Sequence, residues 1–131
     1  MKLPHDKFCV LPWISLETSP LGTIKPCCMA EDEIKDDNGV KYSLITGNLK
    51  EAQHSKHMRS LRQEFLDGKL PQTCKMCWKE EEIGRTSKRM NTISRLQHIV
   101  KDTEWTADAK PLVFIDFKLG NICNLKCRIC G

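Results

Sequence analysis

Hydrophobic positions in this chain fall into short runs of differing period, and each run predicts an element. Between Trp13 and Thr18, the residues Ile14, Leu16 and Thr18 recur at every second position, the period of a half-buried strand. Ser19-Pro20-Leu21-Gly22 follows, with proline second and glycine fourth, as a type I turn prefers. A second strand is expected from Thr23 to about Pro26, closing a hairpin that ends in Cys27-Cys28. Glu31 to Gly39 is acidic and rich in turn residues, and reads as an exposed loop.

The period then lengthens. Asn48, with Glu51 three residues on, marks a helix start. Met58, Leu61 and Phe65 keep helical spacing, and Gly68 followed by Pro71 ends the helix. A second helical stretch opens near Cys74 and runs through Ile83, and Gly84 interrupts it before Ile93, Leu96 and Val100 resume an apolar stripe that reads as core. Asp102 to Lys110 is polar and reads as a linker. Leu112-Val113-Phe114-Ile115-Asp116-Phe117 is almost continuously apolar, the pattern of a buried strand in a parallel sheet. A lone strand of that kind cannot bury both its faces or close a barrel. The pattern therefore predicts an α+β chain with three parts: a hairpin with helices over 1–101, a linker at 102–111 and a strand with its loop over 112–131.

A chain of 131 residues can bury one modest core, and its 40% hydrophobic and 29% charged residues are ordinary for a globular protein. The net charge of +4 is a mild excess that does not point to nucleic acid. Eight cysteines change the picture. Met1 to Lys7 lacks the apolar run of a signal peptide, and no stretch reaches membrane-spanning length. A cytoplasmic location with reduced thiols is expected, which turns clustered cysteines towards metal ligation or redox chemistry.

Two clusters of thiols stand out. Cys123, Cys127 and Cys130 follow the apolar strand as C-x3-C-x2-C, and three thiolates on one short loop can hold three corners of a 4Fe–4S cubane. Ordinary clusters take four cysteines, so one iron stays open to an outside ligand. This motif, with Ile129 before its last cysteine and Gly120-Asn121-Ile122 leading in from the strand, resembles the cluster loop of the radical S-adenosylmethionine superfamily. The resemblance implies that the strand is the first of a partial (β/α)6 barrel. It also implies that S-adenosylmethionine binds the open iron and is reductively cleaved to methionine and a 5′-deoxyadenosyl radical. Its implied partners are a reductant such as flavodoxin or ferredoxin and a peptide, protein or small-molecule substrate. The rest of such a barrel is missing here, so the chain is expected to be a fragment.

The other thiols lie upstream. Cys9, Gly22 and Cys27 are spaced C-x12-G-x4-C, and Cys74-Lys75-Met76-Cys77 follows after the long helix. The hairpin would bring Cys9 near Cys27, and a Cys-x-x-Cys at a helix start would complete four thiolates, favoured there by the helix amides. These residues, with Pro12-Trp13, Gly47-Asn48-Leu49 and Pro71, resemble the twitch and SPASM auxiliary-cluster domains. The resemblance implies an auxiliary 4Fe–4S cluster on Cys9, Cys27, Cys74 and Cys77. A full SPASM domain has further cysteines after its Cys-x-x-Cys and binds two clusters. None follows here before Cys123, which favours the single-cluster twitch type. Cys28 is an alternative to Cys27, because adjacent strand residues face opposite ways. A structural zinc site uses similar spacings, so a zinc-binding interaction module and an iron–sulfur electron carrier remain rival readings.

Other residues are weaker candidates. His54 and His57 lie three apart on the expected helix, and His5 is near Cys9, but none has a fixed-spacing partner. Arg85, Lys88 and Arg89 read as a solvated helix face, and Trp78 as a side chain packed over the upstream cluster.

Overall fold

The computed structural model of the protein describes residues 3–46, 49–100 and 104–117. Gly47-Asn48 and the whole Cys123, Cys127, Cys130 loop lie outside the described residues.

The chain from Phe8 to Thr18 is buried throughout, which blurs the alternation that predicts a strand from Trp13. Its first part is instead one helical turn, Leu11–Ile14 (α1), with Pro12 at the start, where a missing N–H leaves no bond unmade. The strand is Ser15–Thr18 (β1). The Ser15 hydroxyl donates to the carbonyls of Leu11 (3.2 Å) and Pro26 (3.0 Å), tying the turn to the hairpin. Ile24–Lys25 (β2) pairs antiparallel with β1, placing Glu17 opposite Lys25. The turn between them closes through the Gly22 amide donating to the Ser19 carbonyl at 2.9 Å. Gly22 has φ +88°, and a Cβ there would lie 3.2 Å from Ser43 Oγ. Gly22→Ala is therefore expected to cost about 1–2 kcal/mol, read as a lowered thermal midpoint.

The acidic loop is mostly exposed, as expected, but Glu33 and Asp36 are half-buried and Ile34 is fully buried. Its amide donates to the Ile24 carbonyl and its carbonyl accepts from Tyr42, so the loop is pinned to the hairpin.

The single helix expected after Asn48 is two, Leu49–Gln53 (α2) and Lys56–Leu66 (α3). The break falls at Ser55, whose hydroxyl accepts from the Met58 amide and caps α3. Met58, Leu61 and Phe65 are buried on one face of α3, as their spacing predicts, and Gly68 (φ +77°) ends it. Lys75–Glu82 (α4) follows a tight 3-10 turn at Gln72–Cys74. Lys88–Leu96 (α5) begins after Gly84, capped by the Ser87 hydroxyl. Leu96 and Val100 join the core.

Phe114–Phe117 (β3) pairs parallel with β1, giving a mixed sheet in the order β2-β1-β3. No barrel segment is present among the described residues. β3 is an edge of the sheet that carries the upstream hairpin, and Asp116 and Phe117 are exposed rather than buried. Residues 104–110, expected as a linker, have no helix or strand but are closely tied to the domain. Trp105 packs edge-on against Phe8 and Trp13, the Trp13 indole donates to the Thr106 carbonyl at 2.6 Å, and Lys110 donates to the Trp13 carbonyl. No helix of the described residues is long and apolar enough to cross a membrane.

Candidate metal centre

Three separate segments bring four cysteines to one pocket. Cys9 stands just before α1, Cys27 follows β2, and Cys74 and Cys77 flank the start of α4. All four line a cavity of about 20 Å³, with Phe65, Trp78 and Arg89 in the same wall. The hairpin does what the spacing predicts: it returns the chain from Cys9 to Cys27. Cys28 is half-buried and does not line the cavity, so the geometry favours Cys27.

The surroundings oppose bare thiolates. Burial pushes the Cys9 thiol well up, repulsion from Cys27 adds to this, and the Leu11 amide partly offsets it. Burial lifts Cys27 to about 11 against hydrogen bonds from the Met29 and Ala30 amides. Cys74 is raised by burial and then by Cys27 and Cys77. Cys77 is raised by burial, opposed by the amides of Arg89 and Lys88. Burial disfavours the anion at all four thiols, so they hold protons until a cationic group replaces them, and loading a metal group here releases protons.

The donor set fits an iron–sulfur cluster by its chemistry: four sulfurs on three segments facing one space. The cavity is roughly the room of a single water, so a cluster would enter only as the thiols rotate outward. Among the described residues, no three His, Cys, Asp or Glu side chains, the pocket cysteines included, stand close enough to hold a metal ion without such a movement.

The family model for the SPASM iron–sulfur cluster-binding domain matches residues 9–78, just over half of the chain. The chain belongs to the SPASM family. The match opens on Cys9 and closes one residue past Cys77, so it spans all four pocket cysteines of this SPASM domain. No curated protein and no solved structure matches the chain.

The remaining candidates resolve differently. His5 Nδ1 accepts from the Lys7 amide and Nε2 reaches the Phe65 carbonyl at 2.6 Å, so both ring nitrogens are engaged away from the cysteines. His54 lies in the break between α2 and α3, while His57 is on α3 with its Nδ1 facing the Lys35 amide. Trp78 does line the cysteine pocket, with its indole donating to the Pro71 carbonyl at 2.9 Å.

The basic run is the clear correction. Arg85 is exposed and Lys88 half-buried, but Arg89 is 5% exposed and lies in the pocket wall. Its guanidinium forks onto Glu81, with Nε to Oε2 at 2.9 Å and Nη2 to Oε1 at 2.6 Å. Lys7 and the Ser87 hydroxyl also bind Glu81. Sequence reading passed over Glu81, although its place four residues after Cys77 puts both on one face of α4.

Burial alone would raise the Glu81 carboxyl, but its bonds from Arg89, Lys7 and Ser87 outweigh this and hold it at about 2. A carboxyl depressed in the folded state stabilises fully above its unfolded value, near 4.5, and loses that contribution as pH falls through about 2. Glu81→Gln should therefore lower the thermal midpoint at pH 6, and the gap to the parent should close towards pH 2 in a melting series.

Proposed function

We propose that Cys9, Cys27, Cys74 and Cys77 hold an auxiliary 4Fe–4S cluster in a protein of the radical S-adenosylmethionine superfamily, as a conduit for electrons or an anchor for substrate. The observation that carries this reading is that four cysteines from three segments line one pocket inside the SPASM-matched region. When bound, such a cluster supplies one-electron chemistry or an iron site for a ligand. The chain's part is positional. The hairpin and the start of α4 set the four sulfurs, and Phe65 and Trp78 supply apolar surface to the pocket wall.

The second half of the proposal concerns Cys123, Cys127 and Cys130, which we assign to the cluster that binds S-adenosylmethionine. Support is the C-x3-C-x2-C spacing directly after β3. Reductive cleavage of S-adenosylmethionine, with an electron from a flavodoxin- or ferredoxin-type donor, and a peptide, protein or small-molecule substrate follow from that superfamily. Anaerobic reconstitution with iron and sulfide tests both halves. About eight irons per chain is the expected loading, and addition of S-adenosylmethionine should alter the electron spin resonance of one cluster only. A spectrum indifferent to S-adenosylmethionine would overturn the second assignment and leave the first standing.

A further inference from the structure

We propose that Arg89 on α5, outside the matched residues 9–78, is a positioning residue that completes the metal centre and sets how easily its cluster accepts an electron. This rests on the auxiliary-cluster reading above.

Arg89 grips the neighbours of two candidate ligands at once. Its Nη1 donates to the carbonyls of Asp6 (2.8 Å) and Phe8 (3.1 Å), the latter preceding Cys9. Its guanidinium lies 5.9 Å from the ring centre of Trp78, which follows Cys77. Glu81 holds the other side of the fork, one turn beyond Cys77 on α4. Arg89, in the first turn of α5, shares the pocket wall with Cys77. α5 is thus latched at the pocket by a buried ion pair.

The charges have a direction. Lys7 and Arg89 share the carboxylate of Glu81, while Glu80 acts on Cys77 and Glu64 on Cys74 as further negative charges. A cluster held by four thiolates gains one negative charge when it takes up one electron, so the Arg89 cation favours the reduced form and the Glu81 carboxylate opposes it. Removing the cation should make reduction harder, and removing the carboxylate should make it easier. A purely structural latch would not give opposite signs.

The test uses the full chain with Cys123, Cys127 and Cys130 changed to serine, so that a single cluster is titrated. Iron is counted first; then a dithionite-driven mediated titration is followed by electron spin resonance. Arg89→Met should weaken reduction about tenfold, which is about 59 mV for one electron, and Glu81→Gln should strengthen it by a similar factor. Arg89→Lys, which keeps the charge and loses the fork, should stay near the parent potential while melting earlier. Should Arg89→Met fail to load iron, Glu81→Gln still decides the sign: an unmoved or lowered potential there overturns the inference. Unmoved potentials in loaded Arg89→Met and Glu81→Gln, or shifts of these two in the same direction, overturn the role of Arg89 alone. A parent chain that takes up no iron overturns the metal-centre reading and this inference with it.

Discussion

Changing Cys74 to serine should strip the upstream site of its iron. Cys74 lies in the wall of the four-cysteine pocket, and burial together with Cys27 and Cys77 raises its thiol. A serine hydroxyl is a far poorer iron ligand than a thiolate, and no other described side chain stands ready to replace it: His5 is tied to Phe65 and Lys7, and Cys28 does not line the cavity. In a chain whose terminal triplet is already serine, the iron count should fall from about four to near zero. Because the metal group and the folded site are linked, the melting temperature should fall to that of the metal-free chain. Cys28→Ser should retain both iron and melting temperature. Loss of iron on Cys28→Ser with retention on Cys27→Ser would reverse the ligand assignment at that pair.

The second large effect is expected at Arg62, which has nothing to do with metal. Its side chain is fully buried on α3, and it donates to three carbonyls from three parts of the chain: Pro12 at 2.9 Å, Ala107 at 3.1 Å, and Gln53. Burial lowers the guanidinium pKa to about 10. This side chain holds α1, the end of α2 and the 104–110 segment together where no strand or helix does so. Arg62→Met fits a similar volume but leaves three acceptors without their donor, each costing about 1–3 kcal/mol when buried. A net loss of about 3 kcal/mol is a large share of the stability of a small domain, and should lower the thermal midpoint by about 10 °C. Arg62→Lys, which can satisfy only part of this set, should fall between. A midpoint unchanged in Arg62→Met would show that the three segments are held by other contacts.

Local features that sequence alone reveals are those set by local chemistry. The Ser19–Gly22 turn, the buried face of Met58, Leu61 and Phe65, and the helix starting beside Cys74 all follow from turn preference and periodicity. Four of the five described cysteines, Cys9, Cys27, Cys74 and Cys77, meet as spacing predicts; Cys28 stands apart. What spacing could not show was set by contacts distant in sequence. Trp13 and Ile14 fold into a helical turn because Pro12 starts it and Ser15 ties it to Pro26. Trp105 hides in a polar stretch that composition marks as linker, and only its packing on Phe8 and Trp13 gives it away. Arg89 resembles any surface arginine until Glu81, eight residues earlier, and the carbonyls of Asp6 and Phe8 are seen to surround it. The edge pairing of β3 with β1 links residues about a hundred positions apart, beyond any local pattern.

The central claim is that the pocket of Cys9, Cys27, Cys74 and Cys77 holds an iron–sulfur cluster, and metal and sulfide counting tests it most directly. The chain with Cys123, Cys127 and Cys130 replaced by serine is isolated without oxygen, and its iron, acid-labile sulfide and zinc are measured together. The pocket predicts about four irons and four sulfides per chain, with the broad absorption near ~400 nm of a cubane cluster. One tightly held zinc, no sulfide and a colourless protein would contradict it.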